Sequence, residues 1–374
     1  MTKLLFDTTR NADMRYAVRR SIPDPVFCLE CADGHRTVFL NSLEYDTFLE
    51  NNTDPDLSAA KLEPFIERSR ALDGDEPLRS KVALVILREF GLEHEVVEVS
   101  ATFPVLIADH LRGHGVELEP VSPLYPQRAR KTGLEIEVIR ENQRKTSEAF
   151  ALVEGIIREA TVAERGELVY GKVSLTSEFL KREVAKFLLD RDIVLDSGII
   201  ISSGAQTAMP HHEGSGVLLA NEPIVVDIYP RDIASGYYGD MTRTYVKGKP
   251  SEKLMAMFEA VSEAHTRAIE EVAPGVPAGK VHQAAAAALE NHGFTTDETS
   301  GFIHAVGHGL GLELHELPMV SAAATEVLDP GNVITIEPGL YYPGEGGVRT
   351  EDAVVVTPDG HELLTSSERR EFVL

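Results

Sequence analysis

Short apolar runs bounded by turn residues dominate the first third of the chain. Runs at 25–31 and 37–40 flank a turn-like Ala-Asp-Gly-His segment and predict two strands. The run at 78–90 has the length and composition of a helix that ends at Gly91. Three further runs predict a strand, a short helix and a strand at 96–99, 108–113 and 116–121. Strands that alternate with helices favour an α/β sheet with some parallel pairing.

The pattern changes after the proline-marked segment 122–126, which we interpret as a linker. A long amphipathic pattern begins at Gly133 and predicts a helix. Further helices are predicted at 177–190, 253–272 and 278–292, and strands at 199–203, 222–229, 238–247, 333–338 and 348–357. We therefore predict one domain over 1–130 and a second over 131–374.

The charge balance and the cysteine content argue against several classes of protein. The 374 residues include 60 Asp and Glu against 36 Lys and Arg, a formal net charge of −24. Nucleic acids and anionic membranes bind basic surfaces, so neither is predicted as a partner. Cys28 and Cys31 form one Cys-x-x-Cys pair, rather than the two pairs of a typical zinc site, and we interpret them as structural. No apolar run has signal-peptide or membrane-spanning length, so we expect a cytoplasmic protein.

Four acids occupy positions that solvation explains poorly. Asp227 and Glu337 each follow a β-prone, largely apolar run, where an acid costs several kcal/mol unless it is paired, hydrogen-bonded or metal-bound. Asp240 lies 13 residues after Asp227, and Glu351 lies 14 residues after Glu337. A pair of predicted helices precedes each acidic hairpin. We interpret this echo as two related halves with a site between their sheets.

Histidines complete the candidate set. His308 lies in a Gly-His-Gly-Leu-Gly segment, where the glycines allow other groups to approach closely. One imidazole with four carboxylates is an oxygen-rich ligand set that suits Mn²⁺, Co²⁺, Fe²⁺ or Zn²⁺ in a two-metal site. The chain contains no phosphate-binding P-loop and no Gly-x-Ser-x-Gly motif, which argues against an ATPase and a serine hydrolase.

Five motifs in order resemble the pita-bread metallopeptidases. They are Asp227, the Asp-Met-Thr-Arg-Thr segment 240–244, the glycine- and histidine-rich segment 307–316, and the segments 336–339 and 348–352. Within that family the chain is similar to the Xaa-Pro peptidases, prolidase and aminopeptidase P. The resemblance covers 131–374 and implies a mixed α+β and α/β protein. A small creatinase-like α/β domain would precede a pita-bread catalytic domain with pseudo-twofold related halves.

The resemblance also implies a role for each motif residue. Two divalent ions, most suitably Mn²⁺ with Co²⁺, Zn²⁺ or Fe²⁺ as alternatives, would be bound by Asp227, Asp240, His308, Glu337 and Glu351. Asp240 and Glu351 would bridge the ions, and Glu337 would also handle the proton of the attacking water. The implied pocket residues are His211 (preferred to its neighbour His212), His304 and His315, with Arg349 supporting the ligands.

The implied activity is that of a dinuclear metal-dependent exopeptidase, a homodimer, that uses a metal-activated water to cleave the bond between an N-terminal residue and proline. Three alternatives remain open: a methionine aminopeptidase-like enzyme, a creatinase-like amidinohydrolase, and a non-catalytic binding module on the same fold. The chain departs from the family pattern in one hairpin. Asp227 and Asp240 are two residues further apart than usual, and Tyr229 replaces a glycine. We expect the extra residues to lie in the turn.

Overall fold

A computed structural model describes residues 1–72, 74–365 and 371–374. These residues form two compact units, Met1–Pro126 and Gln127–Leu374. Among the described residues, no helix is both long enough and apolar enough to cross a membrane.

The first unit is built on a six-stranded sheet in the order β4-β3-β2-β1-β5-β6. Its strands are β1 Thr2–Asp7, β2 Val26–Glu30, β3 Arg36–Leu40, β4 Leu57–Lys61, β5 Val96–Ser100 and β6 Glu117–Val121. Three of the strand pairs are parallel, namely β3 with β4, β1 with β5 and β5 with β6. The helices are α1 Ala12–Val18, α2 Ser42–Asn51, α3 Glu63–Arg70, α4 Leu78–Glu89 and α5 Val105–Gly113. The predicted α/β sheet with some parallel pairing is therefore confirmed.

The predicted helix at 78–90 corresponds to α4, which is buried without interruption from Ser80 to Leu87. Gly91 follows it with φ +71°, a left-handed conformation that favours glycine. Cys28 is fully buried on β2, and desolvation raises the pKa of its thiol to about 12. A thiol that stays protonated is a poor metal ligand, which agrees with a structural reading of the cysteine pair.

The first half of the second unit carries two helices and a small antiparallel sheet. The long helix α6 Gly133–Glu159 begins at a capping box formed by Thr132 and Glu135. It is followed by β7 Thr161–Val162, β8 Leu168–Tyr170, β9 Val173–Ser174, α7 Ser177–Leu189 and β10 Ile193–Val194. The sheet consists of β11 Ile200–Ser203, β12 Pro223–Ile228 and β14 Met241–Val246. The short β13 Arg231–Asp232 lies between β12 and β14 in sequence but belongs to a separate sheet.

The second half repeats this plan. Two packed helices, α8 Glu252–Glu271 and α9 Ala278–Asn291, precede a five-stranded sheet in the order β16-β15-β17-β20-β21. Its strands are β15 Gly307–Gly309, β16 Glu316–Val320, β17 Val333–Ile336, β20 Asp352–Thr357 and β21 Gly360–Leu363, and a separate ribbon is formed by β18 Gly339–Tyr342 and β19 Gly346–Arg349. In each half an antiparallel strand pair, β12 with β14 or β17 with β20, carries two of the acids.

The prediction of one strand over 348–357 is wrong. The segment forms two strands, β19 and β20, in different sheets, and the chain changes partner at Thr350 and Glu351. The reason is visible at Glu351, whose backbone N–H donates to the carbonyl of Thr242 at 3.0 Å, across to the other half. The predicted strand at 238–247 likewise begins only at Met241.

Candidate metal centre and active site

The second unit contains a cavity of about 370 Å³ between its two halves. All nine predicted site residues line it: Asp227, Asp240, His211, His304, His308, His315, Glu337, Arg349 and Glu351. All four acids reach the cavity at strand ends. Asp240 and Glu351 directly precede β14 and β20. Asp227 lies near the end of β12, and Glu337 directly follows β17. Antiparallel pairing brings these strand ends together.

Three of the nine residues form a tight group. One ligand-type atom from each of Asp240, His308 and Glu351 lies within 4.8 Å of the others. His308 Nε2 is 3.7 Å from Asp240 Oδ2 and 3.4 Å from Glu337 Oε1. The other ring nitrogen, Nδ1, is 3.1 Å from the carbonyl oxygen of Gly309 and therefore carries the proton that it donates. Nε2 then presents a lone pair to the carboxylates, as a metal ligand must.

Asp227 lies outside that tight group and is held by Arg349. Its Oδ2 accepts a hydrogen bond from Arg349 Nη2 at 2.7 Å, and both side chains are largely buried. Its Oδ1 is buried with no hydrogen-bond partner among the described residues. A buried, unpartnered carboxylate oxygen is costly, and a cation bound there would satisfy it. The donor set, four carboxylates and one neutral imidazole, therefore fits divalent metal ions.

Burial and the repulsion of neighbouring carboxylates raise the pKa values of three of the acids, Asp240, Glu337 and Glu351, above their ordinary range. Desolvation raises the pKa of Glu337 to about 8, and the charge of Asp227 adds to the shift. The pKa values of Asp240 and Glu351 are also raised, first by desolvation and then by the neighbouring carboxylates. Desolvation lowers the pKa of His308 to about 3, so its imidazole is neutral. Positive charge is what would allow these carboxylates to ionise together.

His304 is held by a residue that the sequence did not single out, Tyr341. The ring nitrogen Nδ1 of His304 donates to the carbonyl of Ala305 at 2.7 Å, so Nε2 accepts from the Tyr341 hydroxyl at 2.9 Å. The same hydroxyl oxygen accepts from Arg349 Nη1 at 2.8 Å. Tyr341 is fully buried. Its two hydrogen bonds connect His304 to Arg349, which in turn is hydrogen-bonded to Asp227. Its position in β18, between Glu337 and Arg349 in sequence, is the signal that could have found it.

Arg349 also supports Glu351 indirectly. Its Nε donates to Thr242 Oγ1 at 3.3 Å, and that hydroxyl donates to Glu351 Oε2 at 2.7 Å. The family resemblance implied that Arg349 lies near Glu351, whereas its direct ion pair is with Asp227.

The remaining two histidines are exposed and line the cavity. His211 contributes to the cavity wall, while its neighbour His212 uses Nδ1 to accept a hydrogen bond from the Gly214 N–H at 3.0 Å. The ring of His315 meets that of His308 edge-on, with 4.1 Å between the centroids. The preference for His211 over His212 agrees with this placement.

Comparison with known proteins gives this cavity a family context. The family model described as metallopeptidase family M24 matches residues 137–358, more than half of the chain. The chain belongs to metallopeptidase family M24. The M24 match contains the whole cavity wall, because the wall residues run from Ser197 to Glu351.

Named M24 relatives agree with this assignment. The Xaa-Pro dipeptidase of Pyrococcus furiosus is 37% identical over 239 residues, 64% of this chain and 64% of its own length. The Xaa-Pro dipeptidase of Pyrococcus horikoshii is 41% identical over 46% of this chain and 47% of its own. These alignments thus span less than two thirds of the curated relatives. The crystal structure of the prolidase from Pyrococcus horikoshii superposes with a TM-score of 0.77 at 26% identity, covering 98% of this chain and 94% of that one.

The superposition confirms the predicted fold class, a pita-bread M24 fold with an N-terminal domain. The strand pairing describes the long hairpin between Asp227 and Asp240. Between the two acids the chain forms β13, which pairs with β10, while Ile228 faces Met241 in the β12–β14 pair. Both acids consequently remain on the cavity wall. Tyr229 lies on the same wall, half-buried.

The raised pKa values predict how the metal-free protein responds to pH. Between about pH 7.5 and 8 we expect its free energy of unfolding to fall as pH rises, because an unfolded Glu has lost its proton by about pH 5. Folded Glu337, with a pKa of about 8, still holds its proton, so the folded state binds more protons over this interval. Folded His304 and His308, with pKa values lowered to about 4 and 3, are neutral. Unfolded histidines, with a pKa of about 6.5, have also lost most of their protons above about pH 7.5, so histidines contribute little to the slope there.

Urea unfolding after chelation, repeated across this pH interval, measures the effect. Glu337→Gln is the control variant and should show a shallower decline. A free energy of unfolding that rises with pH in the wild-type protein would contradict the electrostatic description of the site.

Proposed function

We propose that this protein is a dinuclear metal-dependent exopeptidase that hydrolyses the bond between an N-terminal residue and a following proline. The observation that carries the proposal is the convergence of four buried acids and a neutral imidazole on one cavity in an M24 chain. Two relatives and two similar solved structures bear the names Xaa-Pro dipeptidase and prolidase, which supports the choice of proline.

The proposed ligands are Asp227, Asp240, His308, Glu337 and Glu351. Divalent ions held by them would activate a water molecule for attack and polarise the scissile carbonyl. Neighbouring groups orient two of these ligands for metal binding. Arg349 binds one oxygen of Asp227 and leaves the other free, and the Gly309 carbonyl fixes the tautomer of His308.

Glu337 is the proposed proton carrier. Glu337 lines the cavity among the proposed ligands, where its carboxylate could take the proton of the attacking water and later release it, which is general acid–base work. Proline makes the scissile bond a tertiary amide whose nitrogen carries no N–H. That nitrogen must gain a proton to leave as an amine, so a proton taken from water has to be delivered there. His211 and His315 are the proposed contacts for the substrate, and His304 is positioned through Tyr341.

We also propose the broader organisation. The unit Met1–Pro126 corresponds to the creatinase-like domain and Gln127–Leu374 to the catalytic domain. The proposed metal is Mn²⁺. The proposed substrate is a peptide or dipeptide with proline in second position, and the proposed assembly is a homodimer.

Hydrolysis assays with metal-free protein and added Mn²⁺ test the activity. Ala-Pro and Ala-Pro-Ala should be cleaved only after Mn²⁺ is added, and cleavage should stop on chelation. Their relative rates will show whether dipeptides or longer peptides are preferred. Cleavage of Met-Ala without Ala-Pro would replace the proposal with a methionine aminopeptidase, and creatine hydrolysis that survives chelation would replace it with an amidinohydrolase.

A further inference from the structure

A buried cluster of charges lies beside the cavity, and the proposed chemistry does not use it. Lys131 Nζ donates to Glu316 Oε1 at 2.6 Å, and Arg128 Nη2 donates to Glu316 Oε2 at 2.8 Å. The side chains of Lys131, Arg128 and Glu316 are only 1%, 7% and 7% exposed. Arg128 also pairs with the more exposed Glu313 at 2.6 Å. We refer to these four residues as the Glu316 cluster.

Stability alone is a weak explanation for such a cluster. Desolvating charges costs several kcal/mol for each ion, and well-packed apolar residues often stabilise a protein as much or more. Each oxygen of Glu316, in contrast, is fixed by a separate cation, which determines both the position and the orientation of this carboxylate. The arrangement is therefore better suited to fixing geometry.

The fixed carboxylate in turn shapes the loop between β15 and β16. A Cβ atom at Gly311 would lie 2.3 Å from Glu316 Oε1, so the loop closes over this carboxylate only because residue 311 is glycine. The Gly311 N–H donates to the Glu313 carbonyl at 3.1 Å, and the Gly311 carbonyl accepts from the Tyr238 N–H at 2.8 Å. The loop 310–316 is thus fixed by one hydrogen bond within the loop and by another from Tyr238, which lies in a different segment of the chain.

His315 belongs to this loop and directly precedes Glu316. Its ring lies 4.1 Å from that of His308, and both line the cavity. His308 lies in β15, and Glu316 begins β16, which pairs with β15 at Gly309. Any shift of Glu316 therefore moves His315 relative to His308.

We propose that Arg128 and Lys131 are positioning residues, which act through Glu316 to hold His315 at its place in the cavity. The two cations lie near the beginning of the unit Gln127–Leu374, almost 200 residues before the loop that they fix. As a statement about catalysis, the inference rests on the proposed Xaa-Pro peptidase function.

Two variants of the full-length protein separate positioning from mere stabilisation. Glu316→Gln keeps the size of the side chain and removes its charge. Lys131→Met/Glu316→Met replaces one buried pair with apolar side chains and leaves Arg128 paired with Glu313, so its urea midpoint should lie closer to that of the wild type than the midpoint of Glu316→Gln does. We expect both variants to keep the metal stoichiometry of the wild type while kcat for Ala-Pro falls about 10- to 100-fold, the range seen when groups that orient an active site are lost. Glu362→Gln, a change in an exposed ion pair, is the matched control and should retain wild-type kcat.

The proposal is overturned if the double variant is as active as the wild type at equal stability. If the double variant does not fold, an unchanged kcat in Glu316→Gln overturns it instead. A wild-type protein that cleaves no Xaa-Pro peptide contradicts the proposed function, not the positioning. In that case the imidazole NMR signals of the Zn²⁺-loaded protein decide: Glu316→Gln should shift and broaden those of His315 and leave those of exposed His94 unchanged, and an unmoved His315 signal overturns the inference.

Discussion

Replacing His308 with alanine is expected to abolish metal-dependent hydrolysis of Xaa-Pro peptides while the fold survives. Its Nε2 offers a neutral lone pair among four acids, 3.7 Å from Asp240 Oδ2 and 3.4 Å from Glu337 Oε1. Loss of groups that only orient metal ligands typically costs 10- to 100-fold, so loss of a ligand should lower kcat/KM by more than about 100-fold.

Activity assays with Mn²⁺, metal titration by calorimetry and far-ultraviolet circular dichroism together test this expectation. His94→Ala replaces a histidine whose side chain is 90% exposed, and it should behave as the wild type. Asp240→Asn provides a second test, because its amide is neutral without the free-energy cost of keeping a buried acid protonated among other carboxylates. It should stabilise the metal-free protein while weakening metal binding. Full activity in His308→Ala with metal still bound would contradict the assignment of His308 as a metal ligand.

Replacing Asp352 with alanine is expected to cause the largest loss of stability. Asp352 is fully buried, accepts from Arg243 Nη2 at 2.6 Å and lies 3.2 Å from His265 Nε2. Burial alone would raise its pKa, but Arg243 and His265 hold the pKa of this carboxyl well below its ordinary range. The variant leaves the Arg243 guanidinium buried without its carboxylate, which costs about 3–5 kcal/mol.

Urea unfolding in the presence of a chelator isolates this effect from metal binding. The chain has no tryptophan, so tyrosine fluorescence and circular dichroism are the probes. Glu362→Ala breaks the Arg140 pair, whose side chains are 32% and 53% exposed, and it should cost less than about 1 kcal/mol. If Asp352→Ala loses no more than this control, the buried network does not support the second half.

The four acidic candidate ligands could be predicted from sequence because each stands at or next to the end of a strand that the sequence pattern had indicated, whereas His308 was found from the glycines around it. Asp227 lies near the end of β12 and Glu337 directly follows β17, and a charge at a buried strand end needs a reason. The strand β1 and the helix α2 were not predicted. The helix gives little pattern, because Phe48 is its one buried residue among those described.

The supporting residues were harder to predict because their partners are distant in sequence. Tyr341 reads as an ordinary strand residue until its hydroxyl is seen between His304 and Arg349. Lys131 and Glu316 are 185 residues apart, and neither lies in a pattern that suggests burial. The division of the predicted strand at Glu351 has the same origin, since its partner Thr242 belongs to the other half.

The division of the ligands between the two halves has a consequence for local opening of the chain. Asp227 and Asp240 come from the β12–β14 pair, whereas His308, Glu337 and Glu351 come from the sheet of the second half. An ion bound by both sets would join the halves, so neither could unfold locally without giving up its ligands. Amide hydrogens in the two sheets should then exchange with solvent as a single cooperative unit when metal is bound, and as two separate units after chelation.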